Sequence, residues 1–170
     1  MELKQIAFLV TSIAAFVLLA AAAGGPSWTK TSIKIRNIDI NTNVGIFRQC
    51  IENPITGDTE CDNLTIDQMK NQSSKLNAIR AFAILAVLTS LFGAVFSLIG
   101  LFTSKVKGIV GAVFLFIAAV CALIAASIFT DETREAIEEF DGLSYGWSFA
   151  FEWVGMIVSA VAGILGVVSN

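Results

Sequence analysis

The stretch Trp28–Cys61, WTKTSIKIRNIDINTNVGIFRQCIENPITGDTEC, is the polar segment on which the fold of this 170-residue chain depends. Isoleucines at positions 33, 35, 38 and 40 alternate with polar residues, with one phase slip at Arg36-Asn37. Alternation of this kind predicts a β-strand with one covered face, and the slip predicts a bulge or a turn.

A second β-like run, Val44–Ile51, leads into the turn formers Asn53–Asp58, so Thr59–Ile66 is expected to return as its partner strand. Cys50 and Cys61 flank this turn and can lie opposite each other across the hairpin. Two cysteines in a polar loop between apolar runs favour a disulfide and an oxidising exterior over two free thiols. Closing so short a loop would stabilise the fold by about 3 kcal/mol.

Two tripeptides near the end of this segment fit the acceptor pattern for N-glycosylation: Asn63-Leu64-Thr65 and Asn71-Gln72-Ser73. Both place the segment outside the cell. Asn63 is the better candidate, because Asn71 lies only a few residues before the next apolar run.

The rest of the chain is mainly apolar, so that in the whole chain 55% of the residues are hydrophobic and only 15% are charged, against about 25% charged in soluble domains. Its uncharged runs match the roughly 20 residues that cross a ~30 Å hydrocarbon layer. The first run also has the small residues of a cleavable signal peptide, but it exceeds the usual ~7–15 apolar residues, so a retained helix is expected. We predict a single domain, 1–170, with the following parts: spans at about 6–25, 78–103, 108–130 and 146–168, an outer loop at about 26–77, an inner loop at about 104–107, and an outward extension of the third helix to about residue 140.

Composition excludes several classes of function. The net charge of −3 argues against nucleic acid, and the absence of histidine removes the commonest general base and metal ligand. No phosphate-binding loop or nucleophile motif occurs. The sequence therefore predicts no enzyme activity, no catalytic residue, no cofactor, no metal site and no small-molecule substrate.

The outer segment resembles the first extracellular loop of claudins and of the peripheral myelin and epithelial membrane proteins. That family carries a Trp, then Gly-Leu-Trp, two residues, a Cys, and a second Cys about ten residues on. Here the matching residues are Trp28, Gly45, Ile46, Phe47, Cys50 and Cys61, with Phe47 in place of the second Trp. The resemblance implies a left-handed bundle of four transmembrane helices topped by an extracellular antiparallel sheet of about five strands. It also implies a Cys50–Cys61 disulfide and the anchoring of the sheet to the membrane by Trp28 and Phe47.

Two further segments extend the resemblance. Arg80 stands in a Leu-x-Ala-x-Arg-Ala context that is similar to the outer end of the second claudin helix. Ser144-Tyr145-Gly146 before the fourth span is similar to the peripheral myelin and epithelial membrane branch rather than to tight-junction claudins.

Charged and small residues within the spans suggest how the helices interact. Glu152 lies in the fourth span near the depth of Arg80, so an Arg80–Glu152 ion pair is one hypothesis and a partner helix facing Glu152 is the other. Gly155, Ser159 and Gly163 are spaced four apart and form a small-residue face, expected to pack within the bundle rather than against a partner. Cys121, in mid-span, is expected to be a packing residue.

These observations lead to a non-enzymatic, four-span glycoprotein of the plasma membrane with both termini in the cytoplasm. The expected function is to organise cell contacts or membrane-protein assemblies through the disulfide-bearing sheet. The alternatives are an auxiliary subunit of an ion channel or receptor, of the stargazin-like or gamma type, and a claudin-like paracellular barrier or pore. The expected partners are membrane lipids and another membrane protein, which can be a second copy, an adhesion partner or a channel subunit.

Overall fold

The computed structural model of the protein describes residues 3–35, 38–54, 56–63, 73–102 and 108–169. Within these residues the chain forms four helices and five strands. In chain order they are α1 (Leu3–Gly24), β1 (Thr29–Ile35), β2 (Ile38–Val44), β3 (Arg48–Glu52), β4 (Thr59–Asn63), α2 (Ser74–Phe102), α3 (Gly108–Glu139), β5 (Leu143–Tyr145) and α4 (Trp147–Val168).

All four helices are long and apolar enough to cross a membrane. Large hydrophobic side chains are exposed along each of them, as at Val10, Phe92, Ile117 and Ile164, where lipid would cover them. The 32 residues of α3 span about 48 Å at 1.5 Å per residue, so α3 projects beyond a ~30 Å hydrocarbon layer. The predicted four-helix membrane fold is confirmed.

Small side chains fill the centre of the bundle. Helix α1 packs against α2 and α4, and α3 packs against the same two helices. The buried alanines lie on all four helices and let their backbones approach closely; they include Ala15, Ala22, Ala83, Ala86, Ala118, Ala122, Ala125, Ala126 and Ala162. The face formed by Gly155, Ser159 and Gly163 is also buried, with Gly155 against Leu19 of α1 and Gly163 against Phe116 of α3.

Changing Gly155 to alanine should therefore destabilise the bundle. A Cβ at this position would lie 2.7 Å from Cδ2 of Leu19, a side chain with 0% exposure that has little room to move. Overpacking of this kind costs about 1–3 kcal/mol. Thermal unfolding in lipid nanodiscs measures the loss, with Gly24→Ala as the control, because nothing lies within 4 Å of a Cβ at Gly24. Equal melting temperatures for the two variants would show that the contact does not limit packing.

The strands form one antiparallel sheet in the order β4-β3-β2-β1-β5. Ile35 pairs with Ile38, so the segment forms two antiparallel strands, β1 and β2, which agrees with the turn and not with the bulge among the two expectations for the phase slip. The residues of the phase slip, Arg36 and Asn37, lie outside the described residues. The predicted run Val44–Ile51 is also interrupted, since Gly45-Ile46-Phe47 separates β2 from β3.

Strand β5 was not predicted. Its three residues pair with β1, from Thr29↔Tyr145 to Thr31↔Leu143, so the segment between α3 and α4 completes the sheet that the segment between α1 and α2 forms. A three-residue strand is too short to show a periodicity. The predicted antiparallel sheet beside the helical bundle is confirmed.

Candidate functional site

Trp28 anchors the sheet to the bundle. Its side chain is 0% exposed, and its ring contacts Phe129 of α3 edge-on at a centroid distance of 4.8 Å and Phe149 of α4 at 5.9 Å. The indole Nε1–H donates to the carbonyl oxygen of Ala22, in the last turns of α1, at 2.8 Å. A buried indole needs such an acceptor, so Trp28 binds three helices just before β1 begins.

Arg80 makes the second connection. Its Nε–H donates to the carbonyl oxygen of Ile46 at 2.7 Å, and Nη1 donates to Oδ1 of Asn77 at 3.1 Å. The guanidinium lies 6.0 Å from the centre of the Phe47 ring, within the range of a cation–π contact. Arg80 is only 5% exposed, and these contacts hold the Gly45–Phe47 segment against α2.

Close backbone contacts make the third connection, between the segment before β1 and the start of α4. The backbone N–H of Ser148 donates to Ser27 O, and the Ser27 N–H donates to Ser148 Oγ at 3.2 Å. Gly146 N–H donates to Trp28 O at 2.9 Å. A Cβ on Gly146 would overlap Ser27, so glycine is required at this crossing.

The predicted Arg80–Glu152 ion pair is not formed. Arg80 contacts the sheet loop and Asn77 instead, and the two carboxylate oxygens of Glu152 are buried with no hydrogen-bond partner among the described residues. The alternative, that Glu152 faces a partner helix, is also wrong, because Glu152 is 1% exposed within the bundle. Instead, the Nε–H of Arg80 donates to the carbonyl oxygen of Ile46, which belongs to the segment between β2 and β3.

Cys50 and Cys61 form a disulfide between β3 and β4. They are directly opposite in the register of the two strands, with 11 residues of sequence separation. Cys50 is buried, and Cys61 lies on an exposed strand. The disulfide therefore ties the outermost described strand to the rest of the sheet. The remaining cysteine, Cys121, is a free, half-buried thiol in α3.

The two faces of the sheet differ in chemistry. Residues paired across strands share a face, and alternate residues along a strand do too. One face, which we term the isoleucine face, carries Ile33, Ile40, Ile51, Glu60 and Asp62. The opposite face carries the disulfide together with Lys30, Lys34 and Arg48.

The base of the isoleucine face lies on the bundle, and its outer part is accessible. Thr29, Val44 and Gln49 at the base line a cavity of about 300 Å³ with Ile79 and Phe129 of the helices. Farther out, Ile33 and Ile51 are 49% and 46% exposed. A concavity of about 480 Å³ lies around Ile40 and Ile51, with Glu60 and Asp62 at its rim.

The acidic end of α3 is largely engaged in ion pairs. Lys75 Nζ of α2 lies 3.3 Å from Asp131 and 2.9 Å from Glu132, and Arg134 pairs with Glu138 at 3.0 Å. Among the described residues no group of three or more acidic or cysteine side chains could hold a metal ion.

Of the two candidate glycosylation sites, the structure describes Asn63. Asn63 is the last residue of β4 and is exposed. Asn71 lies outside the described residues, and so do Lys105 and Lys107. Glycosylation of either asparagine remains a prediction.

Sequence reasoning missed the link between Ser27 and Ser148 and the carbonyl acceptor of Arg80. The serines carry no spacing signal, since 121 positions separate them. Arg80 directly precedes the second uncharged run, but no sequence pattern places the carbonyl of Ile46, 34 positions earlier, within its reach.

Comparison with known proteins agrees with this architecture. The PMP-22/EMP/MP20/Claudin family matches residues 1–166. Epithelial membrane protein 1 of Oryctolagus cuniculus is 28% identical over 94% of this chain and 92% of its own length. Epithelial membrane protein 2 of Bos taurus is 26% identical over 71% of this chain and 73% of its own length.

Proposed function

We propose, because the chain belongs to the PMP-22/EMP/MP20/Claudin family, that it organises cell contacts or membrane-protein assemblies at the plasma membrane through the isoleucine face of its sheet. The protein has four membrane-spanning helices and a disulfide-bonded sheet. In this proposal the sheet is extracellular, both termini are cytoplasmic, the role is non-enzymatic, and the partner is another membrane protein.

The exposed outer part of the isoleucine face carries the proposal. Ile33 and Ile51 are about half exposed on a sheet that Trp28 and Arg80 fix to the bundle. Both lie on strands of the sheet and not on a membrane-length helix, where exposed apolar side chains would face lipid. Apolar side chains grouped on a rigid surface with a polar rim are typical of a protein interface. A fixed surface also binds with a smaller ordering cost than a flexible loop does.

Purification from native membranes in mild detergent tests the proposal. The full-length protein is expected to co-purify with a stoichiometric membrane-protein partner, and the double variant Ile33→Lys/Ile51→Lys is expected to lose it. The matched control, Arg48→Glu/Lys30→Glu, changes two exposed residues of the opposite face and should retain the partner. Loss of the partner in the control but not in the isoleucine variant would contradict the proposal.

The identity of the recovered partner separates the three forms of this function. A channel or receptor recovered in fixed ratio supports an auxiliary subunit. Continuous homotypic strands at cell contacts support a paracellular barrier or pore. A different adhesion or scaffold-linked membrane protein supports an organiser of contacts.

Glycosylation of Asn63 tests which side of the membrane carries the sheet. Expression in mammalian cells should give a band whose mobility increases after digestion with peptide N-glycosidase F, and Asn63→Gln should lack this shift. Asn71→Gln is the matched control and is expected to keep it. A digestion-resistant wild-type band that is also unreactive to membrane-impermeant labels on the sheet would place the sheet inside.

A further inference from the structure

Glu152 takes no part in the contacts of Trp28, Arg80 and Ser27 that hold the sheet on the bundle. It is 1% exposed, and both carboxylate oxygens lie buried without a hydrogen-bond partner among the described residues. It lies on the face of α4 that packs inward, between Ser148, one turn toward the sheet, and Gly155, which contacts Leu19 of α1. An acid in this position has to be neutralised or stabilised by its surroundings.

The surroundings contain almost no charge. Helix α1 has no charged residue between Lys4 and Lys30, and α3 has none between Lys107 and Asp131. Helix α4 carries only Glu152, and α2 contributes Lys75 at its exposed start and Arg80. Arg80 donates to Ile46 O and Asn77 Oδ1. Helix α3 also carries the Cys121 thiol, which packs with Leu19, Ala118 and Ala122, and Tyr145 of β5 stacks on Phe149, one turn from Glu152.

A carboxylate ion held without donors in such a site is strongly disfavoured, whereas the neutral acid is tolerated. We propose that Glu152 is a proton-binding site inside the bundle and that release of this proton loosens α4 from the segment that carries Trp28. The ligand is the proton itself.

The path from Glu152 to the sheet is short. Ser148, one helical turn away, exchanges two hydrogen bonds with Ser27, and Ser27 precedes Trp28. An ionised Glu152 would attract water or the guanidinium of Arg80. Water entering the bundle would separate α4 from α1, and a movement of Arg80 would break its hydrogen bond to Ile46. Because the ionised carboxylate would need donors that the packed bundle does not supply, anchoring of the sheet is retained while Glu152 is neutral and lost as rising pH ionises it.

Carbodiimide labelling of the full-length protein in lipid nanodiscs tests the proton site. Dicyclohexylcarbodiimide adds to neutral carboxylic acids: the carboxyl proton moves to a nitrogen, the carboxyl oxygen bonds to the central carbon, and the adduct rearranges to a stable N-acylurea without losing an atom. Exposed carboxylates in water are ionised at neutral pH. Glu152 should therefore be labelled at least about tenfold more than Glu135 or Glu138 at pH 7, with the adduct located by peptide mass spectrometry.

The detergent-unfolded protein, labelled at acidic pH, is the positive control for reaction at Glu152. If that control is labelled and the folded protein gives no Glu152 adduct, the proposed proton site is wrong. Hydrogen exchange tests the coupling in the same sample. Relative to Glu152→Gln, which cannot ionise, residues 26–46 of the wild type should exchange increasingly faster between pH 6 and pH 9. A constant ratio between the two proteins would overturn the coupling. If Glu152→Gln does not fold, a neutral side chain of this shape is not enough to maintain the packed bundle, and the proposal fails.

Discussion

Replacing Trp28 with alanine is expected to destabilise the folded protein by about 3–5 kcal/mol, the largest effect of any single substitution considered for this chain. The change removes a fully buried side chain and its contacts with Phe129 and Phe149. It also leaves the carbonyl of Ala22 without its indole donor. The sheet should detach from the outer ends of α1, α3 and α4 while the inner half of the bundle, around Ala15 and Leu115, stays packed.

Thermal unfolding in nanodiscs, followed by circular dichroism, measures this effect. Trp28→Phe keeps most of the packing and loses only the N–H donor, so it should be destabilised by about 1–2 kcal/mol. Trp147→Ala is the matched control, because Trp147 is 47% exposed and its ring pairs with Phe151 on the same helix. A Trp28→Ala variant no less stable than Trp147→Ala would show that the indole is an interfacial side chain and not an anchor.

Removing the disulfide by Cys50→Ser/Cys61→Ser is expected to cost about 3 kcal/mol, concentrated in the sheet. The bond closes a short loop and holds β4, which pairs with β3 alone among the described strands, at one end of the sheet order. The double substitution also places a serine hydroxyl at the buried Cys50 position. The helices should be little affected, because none of them contributes to this bond.

Hydrogen exchange measured peptide by peptide distinguishes this local effect from a global one. Residues 48–63 should lose protection, whereas α1 and α4 should keep theirs. Cys121→Ser, in the middle of α3, is the control for loss of a thiol and should leave the sheet unchanged. If the double variant and Cys121→Ser gave the same exchange in residues 48–63, the disulfide would not stabilise the sheet.

Several features of the fold followed from the sequence because they depend on long or repeated patterns. Uncharged runs of membrane length predicted the four helices, and alternation around Ile33 and Ile40 predicted strands. The motif from Trp28 to Cys61 indicated the family and, through it, the Cys50–Cys61 disulfide. These hydropathy patterns and motifs extend over many residues, so they remain recognisable when one position departs from them.

Features that depend on single contacts were missed. The phase slip among the isoleucines predicted a bulge or a turn, and their spacing alone could not decide that the chain reverses between Ile35 and Ile38. Depth along the helices suggested Glu152 as the partner of Arg80, but sequence cannot show that the carbonyl of Ile46 lies closer. The short strand at Leu143–Tyr145 and the Ser27–Ser148 link depend on where α4 begins relative to α1, which only packing determines.

The central claim is that the isoleucine face of an anchored sheet contacts another membrane protein. Site-specific photocrosslinking in native membranes tests it most directly, with the photoreactive residue placed either at Ile51 or at Arg48, which lie on opposite faces of the same strand. The account predicts a discrete crosslinked membrane protein from position 51, none from position 48, and loss of the product when Trp28 is replaced by alanine. Crosslinking from position 48 alone, or an equal yield from both positions, would contradict it.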